Sequence, residues 1–320
     1  MIISPFNSLL GGSMVGLSAA FYHLIFGRVL GISGIYHYIT KDFTFRLSYL
    51  AGLVASGFLF AVPTSTITSN PVKLATAGLL VGFGTALGSG CTSGHGLCGI
   101  ARSSKRSIVA VASFMLSAMV TRFFTEPDVF TTIAPTFDWD IPPLQVLLSL
   151  LGLFGVAFTS SKWQNKLFWR DVFSFMIGIF FGYGLIKGGM ADTSRALNFL
   201  SFFNVFAPRP EGTFPIFDPS LAIMMAAGII PNLIGNYIQR HLEKPVLLDR
   251  FEIPTRQDIT WELVVGSSVF GIGWGMVGLC PGPAFVSLSH VFKGDFTILE
   301  WFAGFATGSY LHKKYVAHCT

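Results

Sequence analysis

The segment GFGTALGSGCTSGHGLCGIARSSKR, Gly82–Arg106, decides how the rest of the chain is interpreted, and GIGWGMVGLCPGP, Gly271–Pro283, echoes it. In both segments an apolar run carries two glycines two residues apart, and a cysteine follows nine positions after the first glycine. These cysteines are Cys91 and Cys280. The two halves of the chain thus place one thiol at matching positions, which indicates a site that both halves build together.

The composition is that of a membrane protein. Of the 320 residues, 52% are hydrophobic and only 12% are charged, whereas soluble domains carry about 25% charged residues. A chain with so little polar surface cannot cover itself in water, so its expected surroundings are a lipid bilayer. The formal net charge of +5 does not indicate nucleic-acid binding, because the basic residues fall in short loops rather than on one face of a soluble fold.

Apolar stretches long enough to cross a bilayer, which takes about 20 residues, recur along the chain. The alternative, a large soluble protein, is disfavoured because soluble folds rarely bury so many helices that are apolar on every side. We therefore predict an all-α, polytopic membrane protein in which residues 1–320 form a single domain. The nine predicted spans lie at about 6–26, 47–64, 74–91, 107–124, 143–159, 171–187, 219–238, 261–279 and 296–312.

The loops predict how the chain is oriented. With the N-terminus outside, most of the 21 lysines and arginines fall in inner loops, and the acidic loop with Glu126, Asp128, Asp138 and Asp140 falls outside. Cytoplasmic loops carry an excess of Lys and Arg. The prediction is a multi-pass protein of the cell membrane with its N-terminus outside and its C-terminus inside.

The cysteine motifs divide the chain into two repeats, at about 6–124 and 171–312, joined by a linking helix at about 143–159. The second repeat begins with the sixth predicted span, five after the first, so it crosses in the opposite direction and the second repeat is inverted. Inverted repeats place binding sites near the bilayer midplane, where broken helices meet. Irregular backbone at this depth is tolerated when protein or a water-filled cavity surrounds it, so both Gly/Cys segments are predicted to be re-entrant.

The candidate site residues around the first motif are Gly90, Cys91, Thr92, Ser93, His95 and Cys98, and Cys280 joins them from the second. Glycines let an anion approach main-chain N–H groups, and a thiol adds a weak donor and a polarizable acceptor. An unperturbed thiol, with a pKa of ~8.5, is neutral at pH 7 and does not repel an anion. This combination suits a small anion with a sulfur end. The alternative, that Cys91 is only a small core residue, is weakened by the matching thiol at Cys280.

Other readings of the motif stay open. Cys91, His95 and Cys98 could bind zinc or copper, but no fourth ligand lies nearby, so no metal is predicted. His95 could carry protons, although a structural hydrogen bond is favoured, and Cys98 could line a path or merely pack. Cys319, one residue from the end, is given no role. No catalytic or nucleotide-binding motif occurs in the sequence context that such a motif requires, so neither enzymatic activity nor a cofactor is predicted.

At these motifs the chain resembles the YeeE/YedE sulfur-transport family of membrane proteins. The resemblance rests on GRVLGISGI, Gly27–Ile35, and on the two cysteine motifs. It implies thiosulfate uptake, with Cys91 and Cys280 as thiols on both sides of a narrow waist that pass the anion without covalent change. Family members can carry a further cysteine on the uptake side. No cysteine precedes Cys91 here, so a hydroxyl such as Ser33 stands in for it, or the substrate differs.

The first functional hypothesis is therefore inward transport of thiosulfate or a related small sulfur anion. One alternative is a membrane thiol protein that handles persulfide sulfur as a sulfurtransferase partner. This role needs an activated thiolate, and only His95 is close enough in sequence to activate the thiol. Another is a transporter of sulfite or a selenium oxyanion. A soluble sulfur-handling protein on the inner side is a candidate partner.

Overall fold

The computed structural model describes residues 5–60, 70–125, 165–203 and 217–319, together with residue 62 and positions 152, 155, 156 and 159. The described elements are helices that fall into two series. The first consists of α1 (Pro5–Phe26), α2 (Ile32–His37), α3 (Phe43–Leu59), α4 (Pro71–Leu87), the π-helix α5 (Thr92–Gly99) and α6 (Lys105–Phe124). The second consists of α7 (Lys166–Lys187), α8 (Thr193–Leu200), α9 (Ser220–Gln239), α10 (Trp261–Val277), α11 (Pro281–Ser287) and α12 (Thr297–Cys319), with a 3₁₀ turn (Leu288–Lys293) after α11.

Each predicted span outside the linking helix coincides with one of the longer helices. The linking helix at about 143–159 lies outside the described residues apart from the four isolated positions. Two helices differ most from their predicted limits: α12 continues to Cys319, seven residues past the predicted end at 312, and α3 was predicted over 47–64 but extends from Phe43 to Leu59. Arg46 was taken as the edge of the span, yet it lies inside the helix because its guanidinium reaches back to the carbonyls of Lys41 and Gly34, at 2.7 and 3.2 Å.

By length and composition, four of the described helices can cross a membrane: α1, α6, α7 and α9. Two bent pairs, α4 with α5 and α10 with α11 and its 3₁₀ turn, raise this number to six. The 17-residue helix α3 is apolar but shorter. These helices make the protein an all-α, polytopic membrane protein, while the total of nine crossings stays a prediction.

The two series of helices pack against each other in matching pairs. Helix α1 packs on α9 just as α7 packs on α3, and α4 packs on α12 just as α10 packs on α6. Helices α1 and α7 also contact each other, as do α4 and α10. Every one of these contacts has a counterpart when the two halves are exchanged. Two repeats would pack in this way, and the repeats themselves, with their limits and inverted orientation, stay predictions.

Glycines of the two cysteine motifs permit this packing. A Cβ on Gly82 of α4 would lie 2.1 Å from the carbonyl oxygen of Phe305 in α12, and one on Gly271 of α10 would lie 2.3 Å from that of Phe114 in α6. Small residues let membrane helices approach each other closely. The glycines that open each motif thus set the distance between α4 or α10 and the last helix of the other half.

Candidate functional site

Both cysteines lie at a break between a long helix and a short one. The axes of α4 and α5 meet at 47°, and those of α10 and the segment Pro281–Lys293 meet at 41°. Helix α10 stops because Gly278 adopts a left-handed conformation, with a φ of 73°, which glycine accepts without steric cost. Pro281 then occupies the first turn of α11, where its missing N–H is not needed.

The two breaks bring the halves of the chain into contact. Cys91 and Cys280 each directly precede a short helix in an extended backbone conformation. The hydroxyl oxygen Oγ1 of Thr92 lies 3.5 Å from Sγ of Cys280, and either atom can donate the hydrogen bond. This contact joins residues 188 positions apart. The thiol of one half of the chain therefore meets the residue that follows the thiol of the other half.

Cys91 is buried and contacts Ser93, two residues further along its own segment. Its Sγ lies 3.2 Å from Oγ of Ser93, and this oxygen also accepts a hydrogen bond from the backbone N–H of Ile32, at 3.2 Å. Ile32 is the first residue of α2. Ser93 thus connects the Cys91 thiol to the start of α2.

A small cavity lies where α5 and α11 meet. Its volume is about 20 Å³, room for about one water molecule. The polar groups in its lining are Thr92, Ser93 and Cys280, and the rest of the lining is apolar, with no charged side chain. Three thioethers, those of Met190, Met224 and Met225, also line it. Thioethers are soft and polarizable, and together with the thiol of Cys280 four sulfur-containing side chains and no charged one line this cavity. We call it the thiol cavity.

A larger cavity, which we call the vestibule, lies next to it and has a volume of about 390 Å³. It contains the candidate residues Ser33, Gly90 and His95. Its charged lining is mostly basic and consists of Arg28, Arg46, Arg102, Arg106, Arg256 and Glu252. Four of these arginines belong to loops or helix starts that were predicted to face the inside: Arg28, Arg46, Arg102 and Arg106. In the predicted orientation, Ser33 therefore lies at the inner end of the path and not on the uptake side.

A single layer of residues separates the two cavities. Ile32 and Ser93 line the thiol cavity, whereas their chain neighbours Gly31, Ser33 and Gly94 line the vestibule. The hydrogen bond from Ile32 to Ser93 runs within this layer. We call this layer the septum, because the thiol cavity borders one of its faces and the vestibule borders the other.

His95 has a positioning role in this arrangement. Its Nε2 lies 3.1 Å from the carbonyl oxygen of Gly88, and its Nδ1 lies 3.1 Å from Oγ of Ser107. A carbonyl only accepts, so Nε2 carries the proton and Nδ1 accepts from the hydroxyl. A Cβ on Gly90 would lie 2.5 Å from Nε2. Gly90 therefore leaves the space in which His95 connects the end of α4 to the start of α6.

Cys98 points away from both cavities, and its Sγ donates to Oδ1 of Asn232 in α9, at 3.8 Å. It thus joins α5 to α9 instead of lining the described cavities. Cys91, His95 and Cys98 consequently have different partners. Within the described ranges, no three His, Cys, Asp or Glu side chains come together as a metal site would require.

Several residues of the site were not among the sequence-based candidates. Asn232 could have been recognised from the sequence, because a polar side chain inside an apolar span costs free energy and commonly has a function or a partner. Arg46 was recognised only as an orientation signal. Ile32 and the three methionines carry no distinguishing pattern, since apolar residues of their kind are frequent throughout the chain.

Two family models match the chain, one in each half. The sulphur-transport family matches residues 47–120, and a family of unknown function (DUF6691) matches residues 170–315. A probable transporter of Xylella fastidiosa (strain Temecula1) is 44% identical over 123 residues, which cover 91% of that protein and 36% of this chain. Another probable transporter, from Xylella fastidiosa (strain 9a5c), is 35% identical over 142 residues, 88% of that protein and 44% of this chain.

The apolar helices, the two bent helix pairs and these relatives define a multi-pass membrane protein with a transport role. The chain belongs to the sulphur-transport family of the YeeE/YedE type. Each of the two relatives aligns over most of its own length but over less than half of this chain.

Proposed function

We propose that this protein takes up thiosulfate, or a closely related small sulfur anion, along a path that crosses the thiol cavity, the septum and the vestibule. The observation that carries the proposal is the contact between Thr92 and Cys280, at 3.5 Å. It brings one re-entrant segment of each half together, in line with the midplane sites of transporters built from repeats.

The lining of the thiol cavity fits the passage of such an anion. Thiols and hydroxyls are neutral donors, so they can interact with an anion without holding it as tightly as an arginine would. Conduction requires binding that is favourable enough for entry yet weak enough for release. The thioethers of the lining suit the sulfur end of the anion. We assign the first contacts to Cys280 and Thr92 and the following one to Ser93. Cys91 does not line the thiol cavity, but its Sγ lies behind Ser93, 3.2 Å from Oγ, and we propose that it meets the anion once the segments move apart.

A sulfur oxyanion is larger than a water molecule, whereas the thiol cavity has room for about one. Passage therefore requires that the segments around Thr92 and Cys280 move apart and that the septum opens. Ser33 then meets the anion as it arrives in the vestibule.

The persulfide alternative has less support from the geometry. A thiolate must be generated before a persulfide can form, and His95 was the residue available for this step. Both ring nitrogens of His95 are engaged, with Gly88 and Ser107, while Cys91 contacts Ser93. Transport of an intact anion needs no such activation.

The proposal includes the cellular setting. We place the protein in the cell membrane with its N-terminus outside, so that the vestibule opens on the inner side. A soluble sulfur-handling protein on that side would receive the anion. Arginine-rich loops around the vestibule are consistent with this orientation, since basic residues favour cytoplasmic loops.

Uptake of ³⁵S-labelled thiosulfate into proteoliposomes tests the proposal. We expect saturable uptake by the wild type and loss of most of it in Cys280→Ala and Cys91→Ala. Cys280→Ser should retain partial activity, because a hydroxyl also donates a hydrogen bond but lacks the polarizable sulfur. Unlabelled sulfite and selenite, added as competitors, would show whether another oxyanion is preferred.

Cys319→Ala serves as the matched control, since it removes a thiol at the end of α12 and should leave uptake unchanged. All variants are compared at equal amounts of monodisperse, reconstituted protein. Wild-type uptake that persists in Cys280→Ala would refute the role of that thiol. Wild-type protein that is folded but takes up no thiosulfate would refute the substrate assignment.

A further inference from the structure

We propose that the vestibule is a second anion site, separate from the thiol cavity, which binds a divalent tetrahedral oxyanion with Arg46, Arg102 and the hydroxyl of Ser33. This inference goes beyond the proposed transport path, because it concerns equilibrium binding on the vestibule side of the septum and requires no thiol. It rests on the charges of the vestibule, on the partners of its arginines and on buried donors that lack an acceptor.

The charges of the vestibule leave an excess of two. Five arginines line it, together with Glu252. Two further carboxylates neutralise lining arginines from outside: Asp42 pairs with Arg28 at 2.8 Å, and Asp258 pairs with Arg256 at 2.7 Å. Three carboxylates against these five guanidinium groups leave two positive charges. Asp42 and Glu252 are also shared with Arg170 and Arg250 outside the lining, at 3.8 and 3.9 Å, so the carboxylates do not cancel this excess, which a divalent anion would balance.

The two unbalanced charges can be assigned to individual residues. Arg46 donates to the carbonyls of Lys41 and Gly34, and Arg102 donates to that of Pro254, at 3.5 Å. In the part of the chain that the structure describes, neither guanidinium lies within ion-pair distance of a carboxylate. The other three arginines have such partners.

Donors of the vestibule also lack acceptors. Nε of Arg102 and Oγ of Ser33 are buried and have no hydrogen-bond partner, and Ser33 is 0% exposed. Buried polar groups are nearly always hydrogen-bonded. An oxyanion offers several acceptors on one small centre, and guanidinium groups bind oxyanions in a fixed fork geometry. An oxyanion in the vestibule would therefore satisfy both groups.

The contrast between Arg102 and Arg28 supports the assignment. Burial lowers the pKa of Arg102, because no carboxylate lies close enough to offset it. Burial acts on Arg28 in the same direction, but its hydrogen bonds to Asp42 and Glu252 outweigh the effect and raise its pKa. Arg102 is thus a half-buried cation, with a buried Nε, that lacks the compensation that Arg28 has.

Binding of ³⁵S-sulfate measured by equilibrium dialysis tests the inference, with the protein in nanodiscs of zwitterionic lipid and ionic strength held constant with chloride. Sulfate has the charge and shape of the proposed ligand but no terminal sulfur. We expect saturable binding, weakened by about tenfold or more in Arg102→Gln and in Arg46→Gln, as the loss of a charged hydrogen bond predicts. Lys314→Gln is the control, since it removes one exposed positive charge of α12 that lies outside the vestibule lining, and its affinity should stay within about threefold of wild type.

Each outcome decides the question. Wild-type protein without saturable sulfate binding, or Arg102→Gln with wild-type affinity, would overturn the inference. Anionic phosphatidylglycerol in the nanodiscs that displaces sulfate would assign the vestibule to lipid headgroups and would also overturn it. If Arg46→Gln does not fold, Arg102→Gln decides, with Arg102→Lys expected to retain part of the affinity because it keeps the charge.

The same protein separates this inference from the proposed function. Sulfate binding that is retained in Cys280→Ala, while thiosulfate uptake is lost, would support both. Sulfate binding by a wild type that takes up no thiosulfate would support the second site and refute the transport proposal.

Discussion

At the scale of single residues, the site depends on small groups that make room for larger ones. Gly90 and His95 are the clearest case, because the imidazole ring occupies the space that a Cβ at position 90 would need. The ring in turn holds the carbonyl of Gly88 and the hydroxyl of Ser107. The two residues therefore act as one unit, which positions the backbone directly before Cys91.

This unit predicts non-additive effects on stability. Gly90→Ala should displace the ring of His95 and break its hydrogen bonds, which costs about 1–3 kcal/mol. His95→Ala should cost a similar amount, and adding Gly90→Ala to His95→Ala should cost little more, because the ring that the new methyl group clashes with is gone. Thermal unfolding of the four proteins in one detergent measures the coupling. Strictly additive losses would show that the two residues act independently.

At the scale of the helices, close contacts between glycine and backbone hold the two halves together. Gly82 and Gly271 open the two cysteine motifs and occupy matching places, against α12 and α6 respectively. The match is informative because the two glycines contact different helices, each belonging to the other half of the chain. Equivalent positions in the two motifs therefore allow equally close contacts between helices.

Substitution of these glycines should reveal this equivalence. Gly82→Ala and Gly271→Ala each place a methyl group within 2.1 or 2.3 Å of a carbonyl oxygen, and overpacking of this kind costs about 1–3 kcal/mol. We expect both variants to lower the unfolding temperature by similar amounts. Gly34→Ala is the matched control, since no atom lies within 4 Å of the added Cβ. A loss confined to one of the two variants would argue against equivalent halves.

At the scale of the whole molecule, the two segments around the thiol cavity close the proposed path in this structure. Thr92 and Cys280 lie in different halves and are in contact, and Ile32 is hydrogen-bonded to Ser93 within the septum. The thiol cavity is too small for a sulfur oxyanion in this state. Transport by the proposed path therefore needs relative movement of the two halves, or of their re-entrant segments.

A reversible cross-link tests this requirement. Thr92→Cys would place a second thiol next to Cys280, and mild oxidation should join them, as mass spectrometry of the linked peptides would verify. We expect oxidation to abolish thiosulfate uptake by this variant and dithiothreitol to restore it, while wild-type uptake is unaffected by either treatment. Full uptake by a completely cross-linked protein would show that neither separation of the two segments nor a free Cys280 thiol is needed.

The sequence by itself determined the class of the protein and most of its helices. Hydropathy and length are local properties, so each predicted span of the described part coincides with a helix, and the limits fail where a charge such as Arg46 finds backbone partners inside the fold. The two matching motifs also identified Cys91 and Cys280 as residues at equivalent breaks.

Only the tertiary structure decided which groups meet. Thr92 rather than Cys91 contacts Cys280, Ser93 connects the Cys91 thiol to Ile32, and methionines from distant segments line the thiol cavity. Unpaired Arg46 and Arg102 come together with Ser33 in one vestibule for the same reason. The hydrophobic pattern fixes which stretches become helices, but the contacts between residues far apart in the chain follow from the packing of those helices against each other.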